Sequence, residues 1–204
     1  MNEQLKTLLD KAKVEVAQSP HLGLSFKTRQ AILREMGPVC PTGTLGPGLI
    51  RRARLDCAIT KPALPIWEAH YDSKDPHRMI QLAEQYLAGG CSFDDLWGKA
   101  DAFRGGLDTS DTPDKNVAYQ VGRGSVCAAY VAGADELLQA DQGIPLKELE
   151  NPEDPDHWDC AYWIAGAQAG GMPWEEPFDK AKYGQFWYWY LNVAVPEAWA
   201  SVPE

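Results

Sequence analysis

The amino-acid sequence predicts an all-α fold, a single-domain bundle of about eight helices joined by short loops. Two observations indicate this class. Apolar residues recur at helical spacing along most of the chain, and neither sustained period-2 alternation nor a strand–helix–strand pattern interrupts them. A chain of 204 residues that is 45% hydrophobic and contains eight Trp is large enough to fill a substantial core. Residues 1–204 are therefore expected to form one helical domain.

Two helices are predicted before the first long loop. Residues 3–18 carry an apolar stripe of helical period, and Pro20 ends it. Either Ser25 or Thr28 is suited to cap a second helix. The segment 37–48 then contains three prolines and four glycines, which predicts a loop.

The segment from Arg51 to Gly89 predicts the helical hairpin on which the rest of the domain is built. Pro62 and Pro65 interrupt its first arm, because proline lacks the amide donor that a helix interior needs. After a polar turn, Asp75 is expected to cap the second arm, with Pro76 at its first helical position. The residues expected largely off the apolar stripe of the first arm are Arg51, Arg52 and Arg54.

Two helices are predicted after the hairpin. Ser92 is the expected N-cap of the first, which stops at Gly105-Gly106. The second runs from Val117 to Leu138 and is rich in Gly and Ala. Because small residues let neighbouring helices approach closely, this helix is predicted to be central.

The C-terminal part of the chain predicts two more helices. Asp156 is expected to cap a helix over 157–169. The last helix is predicted from Phe178 to Val195. A strand is the competing assignment for its aromatic run FWYWY, since aromatic residues favour strands. Pro196 is expected to break this helix, and Trp199 to fold back onto the core.

The net charge of −10 is concentrated in the middle of the chain. Residues 92–159 hold 15 acidic and 5 basic residues, whereas residues 1–91 hold 9 acidic and 12 basic residues. A field of this sign disfavours nucleic acids and membranes and attracts basic partners. A solvated acidic face that serves solubility alone is the other interpretation.

A cytoplasmic location is expected from two features of the sequence. No apolar run approaches the roughly 18 residues that span a bilayer, and the charged N-terminus lacks the apolar stretch of a secretion signal. The five cysteines form no close pair, which predicts reduced, mostly buried thiols rather than a disulfide framework or a zinc site.

No motif for catalysis or metal binding stands out. The four histidines form neither HxxxH nor HExxH, so no metal and no cofactor are predicted. Glu68 and Arg78 face each other across the hairpin turn, and a structural ion pair between them is the preferred interpretation. The alternative is a helical enzyme with a pocket near Glu68, His70 and His77.

The hairpin carries a family resemblance. Its Arg-rich helix contains Cys57, LPIWE follows at 64–68, and Asp75-Pro76-His77-Arg78 leads to Leu87-Ala88-Gly89. This segment resembles the fifth numbered Imm family, predicted immunity proteins of bacterial polymorphic toxin systems, with Pro-His-Arg in place of the family's Arg-Pro-Arg order. The small-residue helix extends the resemblance, which covers about residues 45–135. It implies an all-helical cytoplasmic protein that binds and neutralises a cognate toxin.

The sequence therefore favours an immunity protein without catalysis, whose acidic surface meets a basic toxin domain. Two acidic segments predicted as exposed loops, 108–114 and 148–156, are the expected contact regions, and an exposed Trp adds anchoring area. A helical adaptor or scaffold is a further alternative. The predicted toxin-binding residues are Asp108, Asp111, Asp114, Glu148, Glu150, Glu153, Asp154, Asp156 and Trp174.

Overall fold

The computed structural model of the protein describes residues 1–108, 116–135, 138–139, 144–146 and 158–203, without the side chains of residues 108 and 116. Every regular element in these ranges is helical, so the predicted all-α class is confirmed. None of the described helices is long and apolar enough to cross a membrane.

The two N-terminal helices, α1 (Glu3–Gln18) and α2 (Phe26–Glu35), are present as predicted. The side chains of Asn2 and Ser25 each accept a hydrogen bond from a backbone N–H of the following first turn. Helical spacing places the apolar residues of α1 on one buried face. That face consists of Leu5, Leu9, Ala12 and Val16.

The predicted hairpin is also present, and its first arm continues through the prolines rather than stopping. Pro62 and Pro65 lie in the first turns of two successive short elements, where a missing N–H leaves no hydrogen bond unmade. The cap position of the second arm is Lys74 rather than the predicted Asp75. The elements are α3 (Pro47–Thr60), a 3₁₀ turn (Lys61–Ala63), α4 (Leu64–Glu68) and α5 (Asp75–Leu87).

The next helix, α6 (Phe93–Asp108), begins as predicted and ends later than predicted. The hydroxyl of Ser92 accepts a hydrogen bond from the first turn, so its role as cap is confirmed. The helix passes through Gly105-Gly106 because Leu107, one residue further on, is buried against Gly122 of the next helix. This packing outweighs the helix penalty of about 1 kcal/mol for each glycine.

The helix α7 (Asn116–Gly133) is central, as predicted, and contacts α3, α4, α5 and α6. It ends before the predicted Leu138. Two residues beyond its end, Asp135 forms a buried ion pair with Arg52 of α3.

The described C-terminal part contains three α-helices and a π-helical turn, with a turn segment between the first two helices. Asp159 caps its first helix in place of the predicted Asp156. The run FWYWY has helical backbone, so the strand alternative is wrong. Pro196 lies in the first turn of the last helix instead of breaking one, and Trp199 is buried as predicted. The elements are α8 (Cys160–Ala169), α9 (Lys180–Trp189), a π-helical turn (Tyr190–Ala194) and α10 (Val195–Ala200).

One apolar cluster runs from Leu5 in α1 to Trp199 in α10. The two largest fully buried side chains are Trp187 and the charged Arg52. A charge in such an interior needs partners inside the protein. The five cysteines are free, as predicted.

Candidate functional site

A broad open groove lies between the C-terminal end of α1, the loop at 19–25 and the turn at 173–174. Its volume is about 1310 Å³, above the range of about 300–1,000 Å³ that is usual for small-molecule sites. The groove therefore suits a segment of another protein. We call it the aromatic groove, and its lining includes Val14, Glu15, His21, Trp158, Tyr162 and Trp174.

Three aromatic rings form one wall of the aromatic groove. The Trp174 ring centroid lies 5.6 Å from that of Trp158 and 6.5 Å from that of Tyr162. Trp174 is 62% exposed, more than any other large hydrophobic side chain in the described part of the chain. An exposed aromatic surface that neighbouring rings hold in place is typical of an anchor for a binding partner.

A buried arginine supports this wall from behind. The Arg29 guanidinium lies 4.6 Å from the Tyr162 ring centroid. Its Nε donates a hydrogen bond to Asp159 at 2.7 Å, and its Nη1 donates to the Leu24 carbonyl at 2.7 Å. Burial alone would lower the pKa of Arg29, but the Asp159 carboxylate outweighs this and the pKa is raised. Arg29 therefore stays charged and joins the loop at 19–25 to the aromatic wall.

Asp159 has a second role in the wall. Its other carboxylate oxygen accepts a hydrogen bond from the backbone N–H of Tyr162 at 2.9 Å and caps α8. One carboxylate thus fixes both the start of α8 and the position of Arg29. Because Trp158 immediately precedes Asp159, this arrangement also positions the Trp158 ring.

The turn that carries Trp174 is held by Glu175. The Glu175 Oε2 accepts hydrogen bonds from the Met172 backbone N–H at 2.7 Å and from Gln120 Nε2 of α7 at 3.4 Å. Gly170, with a φ of 85°, ends α8 and lets the chain reverse into this turn. The Trp174 side chain is therefore exposed on a turn that is tied to the central helix.

Of the predicted toxin-binding residues, the structure places Trp174 in the aromatic groove. Asp108 ends α6, and its side chain is not described. The remaining acidic residues stay predictions because they lie outside the described ranges. These residues are Asp111, Asp114, Glu148, Glu150, Glu153, Asp154 and Asp156.

The described residues on the two sides of the acidic segment 147–157 line the aromatic groove or a cavity that shares Lys11 with it. On the N-terminal side, Leu146 lines a shallow cavity with Lys11, and Lys11 also lines the aromatic groove. On the C-terminal side, Trp158 is part of the groove wall. Five acidic residues stand between these two positions in the sequence.

The prediction that Glu68 pairs with Arg78 is wrong, because each residue has another partner. Glu68 accepts hydrogen bonds from Lys74 and from His77, the latter at 2.7 Å. These bonds, chiefly the one from Lys74, lower the pKa of Glu68. Arg78 pairs with Asp75 at 2.7 Å, because residues three apart on one helix are neighbours.

The same cluster argues against the enzyme alternative. Glu68 is exposed and salt-bridged, and His70 is exposed as well. The aromatic groove and the interior cavity behind it are lined by other residues. Within the described ranges, no group of three His, Cys, Asp or Glu side chains is placed to hold a metal ion.

Sequence reasoning missed the buried arginines. Arg52 donates to Asp135 through Nε at 2.7 Å and Nη2 at 2.5 Å, and both side chains are 1% exposed. The Arg51 guanidinium lies 3.9 Å from the Trp199 ring centroid. In the sequence, neighbouring arginines on one helix are typical of a solvated face. The acid that pairs with Arg52 is Asp135, 83 positions away. No local signal in the sequence indicates that contact.

In its described residues the protein is all-helical and carries an open aromatic groove. A family model described as Immunity protein Imm5 matches residues 9–197. The chain therefore belongs to the Imm5 family of immunity proteins. The match extends from α1 into α10, well beyond the 45–135 inferred from the hairpin. No curated protein matches the chain.

Proposed function

We propose that this protein binds a cognate bacterial toxin domain in the cytoplasm and neutralises it by covering its surface, without catalysis. Membership of the Imm5 family supports a toxin as the partner. The observation that carries the choice of surface is Trp174, which is exposed on the aromatic groove beside Trp158, the residue that follows the acidic segment 147–157.

Charge supports a basic toxin domain as the partner. Residues 92–159 hold 15 acidic and 5 basic residues. An acidic surface steers a basic protein into contact and speeds association, an effect that salt screens. Enzymes that act on nucleic acids need basic surfaces to hold phosphates. An acidic immunity protein on such a surface excludes the nucleic acid.

The aromatic groove supplies the short-range part of the interaction. Trp, Tyr and Arg dominate the energetics of protein interfaces because they offer large contact areas. The Trp174 ring gives a rigid apolar surface, and a Lys or Arg side chain of the toxin stacks favourably on its face.

The test uses a toxin domain against which this protein protects cells, and the neighbouring open reading frame is the first candidate source of it. Association rates are measured by stopped-flow mixing at several salt concentrations, and growth of cells that express the toxin reports protection. The variant Glu150→Lys/Asp154→Lys is expected to associate at least about tenfold more slowly and to show a flatter salt dependence.

The matched control for this variant is Asp72→Lys/Glu84→Lys. It makes the same charge change at exposed positions on the hairpin. Its association rate is expected to stay within about threefold of that of the unmodified protein, since charges beyond a Debye length are screened. If Glu150→Lys/Asp154→Lys protects cells and associates as the control does, the acidic segment is not the toxin-binding surface.

A further inference from the structure

A second, interior cavity of about 110 Å³ lies behind the aromatic groove, among α3, α7 and α8. Asp56 of α3 lines it and is only 7% exposed. Its carboxylate makes no hydrogen bond or ion pair with any described residue. A buried carboxylate without a partner is costly, so this group creates an unmet demand for hydrogen-bond donors.

The other charged groups around the cavity have partners of their own. Arg52 pairs with Asp135, and Asp159 pairs with Arg29. Two further arginines at the cavity are also engaged. Arg123 donates to the Tyr119 hydroxyl at 3.2 Å, and Arg104 is hydrogen-bonded to Tyr130.

The remaining titratable groups at the cavity are neutral at physiological pH. Burial raises the pKa of Cys127 to about 12 and that of Tyr130 to about 12. Burial also raises the pKa of Cys160 and of Tyr190 well above their usual ranges. Among the described acidic residues at the cavity, Asp56 is therefore the one whose carboxyl has no hydrogen-bond partner. The Arg123 side chain is engaged through its Nη1, while its buried Nε makes no hydrogen bond.

We propose that this cavity binds a small organic cation, with an ammonium or amidinium group on the Asp56 carboxylate and a short apolar body. The apolar body faces Val126, Val131 and Ala134, which line the cavity. A cavity of about 150 Å³ is known to hold benzene, which has six heavy atoms. The cavity beside Asp56 therefore fits a ligand of about four to five heavy atoms.

Binding is expected to release a proton. Burial raises the pKa of Asp56 well above its usual range, and the carboxyl is protonated at pH values below that raised pKa. When the cation enters, its N–H groups donate to the ionised carboxylate and the carboxyl proton passes to solvent. The apparent affinity is therefore expected to rise about tenfold per pH unit below the pKa of Asp56.

The probe is isobutylammonium, which has five heavy atoms, with isobutanol as its neutral counterpart. Titration is followed by chemical-shift changes of the Val126, Val131 and Ala134 amides at pH 6, 7 and 8. Isobutylammonium is expected to saturate one site, to bind more tightly as the pH rises, and to bind at least tenfold more tightly than isobutanol at pH 8.

The decisive variant is Asp56→Asn, which keeps the shape of the side chain and removes its charge. It is expected to lose isobutylammonium binding and its pH dependence. Asp10→Asn is the matched control on the exposed face of α1, and it is expected to bind as the unmodified protein does. Equal binding of isobutanol, unchanged binding by Asp56→Asn, or a cavity that takes up only water would each overturn the proposal.

Discussion

Arg29 and Asp159 are 130 positions apart in the sequence, yet their side chains lie 2.7 Å apart in the protein interior. Their side chains are 4% and 8% exposed. The contact joins α2 to the start of α8, and both residues lie next to the aromatic groove. Each charge has a further hydrogen bond, from Arg29 to the Leu24 carbonyl and from the Tyr162 amide to Asp159. Removal of either partner leaves the other charge buried alone.

The variant Arg29→Met is therefore expected to lower the free energy of unfolding by about 3–5 kcal/mol. Urea denaturation measures this change. Lys6→Met is the control, because Lys6 pairs with Glu3 on the exposed face of α1 and is expected to contribute less than about 1 kcal/mol. If Arg29→Met loses no more stability than Lys6→Met, the buried ion pair does not hold the groove together.

The buried Asp56 carboxyl is expected to make the protein less stable as the pH rises. Its pKa is raised by burial above the value of 3.8 for the free group. As the pH rises above about 3.8, the unfolded chain releases this proton before the folded protein does. The folded state then binds more protons, so the free energy of unfolding falls until the pH reaches the raised pKa. A pKa that is one pH unit higher in the folded protein corresponds to a loss of about 1.4 kcal/mol.

The variant Asp56→Asn is expected to remove this dependence. Its stability should match that of the unmodified protein near pH 4 and exceed it by a growing margin as the pH rises towards the raised pKa of Asp56. Urea denaturation across this pH range, without added amines, measures the difference. A constant difference from pH 4 to pH 8 would show that Asp56 titrates normally.

The sequence predicts the helices well where the signals are local. N-caps and apolar stripes each depend on residues within one or two helical turns. The sequence therefore predicts α1, α2 and the start of α6 directly. The position of Trp174 in a turn is also predictable from the sequence, since Trp174 stands between two prolines. The exposure of its ring follows from that context.

Features that depend on distant residues are not predictable in this way. The end of α6 depends on Leu107 packing against Gly122, and the burial of Arg52 depends on Asp135. Likewise, Asp156 and Asp159 are equally good caps by residue type, and only the contact with Arg29 distinguishes them. The groove itself joins α1 to residues around Trp174, which no local pattern connects.

The close packing of α7 against α8 is expected to make alanine at Gly124 destabilising, in contrast to alanine at Gly98 of α6. A Cβ atom at Gly124 of α7 would lie 2.5 Å from the Ile164 Cδ1 of α8, and Ile164 is fully buried. Gly124→Ala is expected to lower the free energy of unfolding by about 1–3 kcal/mol, the usual cost of overpacking. Thermal and urea denaturation measure this loss.

Gly98→Ala is the matched control for that variant. Gly98 lies inside α6, and a Cβ atom there would meet nothing within 4 Å. The substitution is expected to raise the free energy of unfolding by up to about 1 kcal/mol, because alanine favours the helix. Equal effects at the two positions would mean that α7 and α8 are not packed as closely as the structure indicates.

Substitution of Trp174 is expected to weaken toxin binding with little effect on the stability of the protein. Its side chain is 62% exposed, so Trp174→Ala is expected to change the free energy of unfolding by less than about 1 kcal/mol. The dissociation constant for the toxin domain is expected to rise about thirtyfold, which corresponds to a hot-spot loss of about 2 kcal/mol. Tyr188→Ala is the control, since Tyr188 is 38% exposed on α9 and does not line the aromatic groove. Calorimetric titration of the three proteins with the toxin domain gives the comparison, and equal affinities for Trp174→Ala and Tyr188→Ala would place the toxin on another surface.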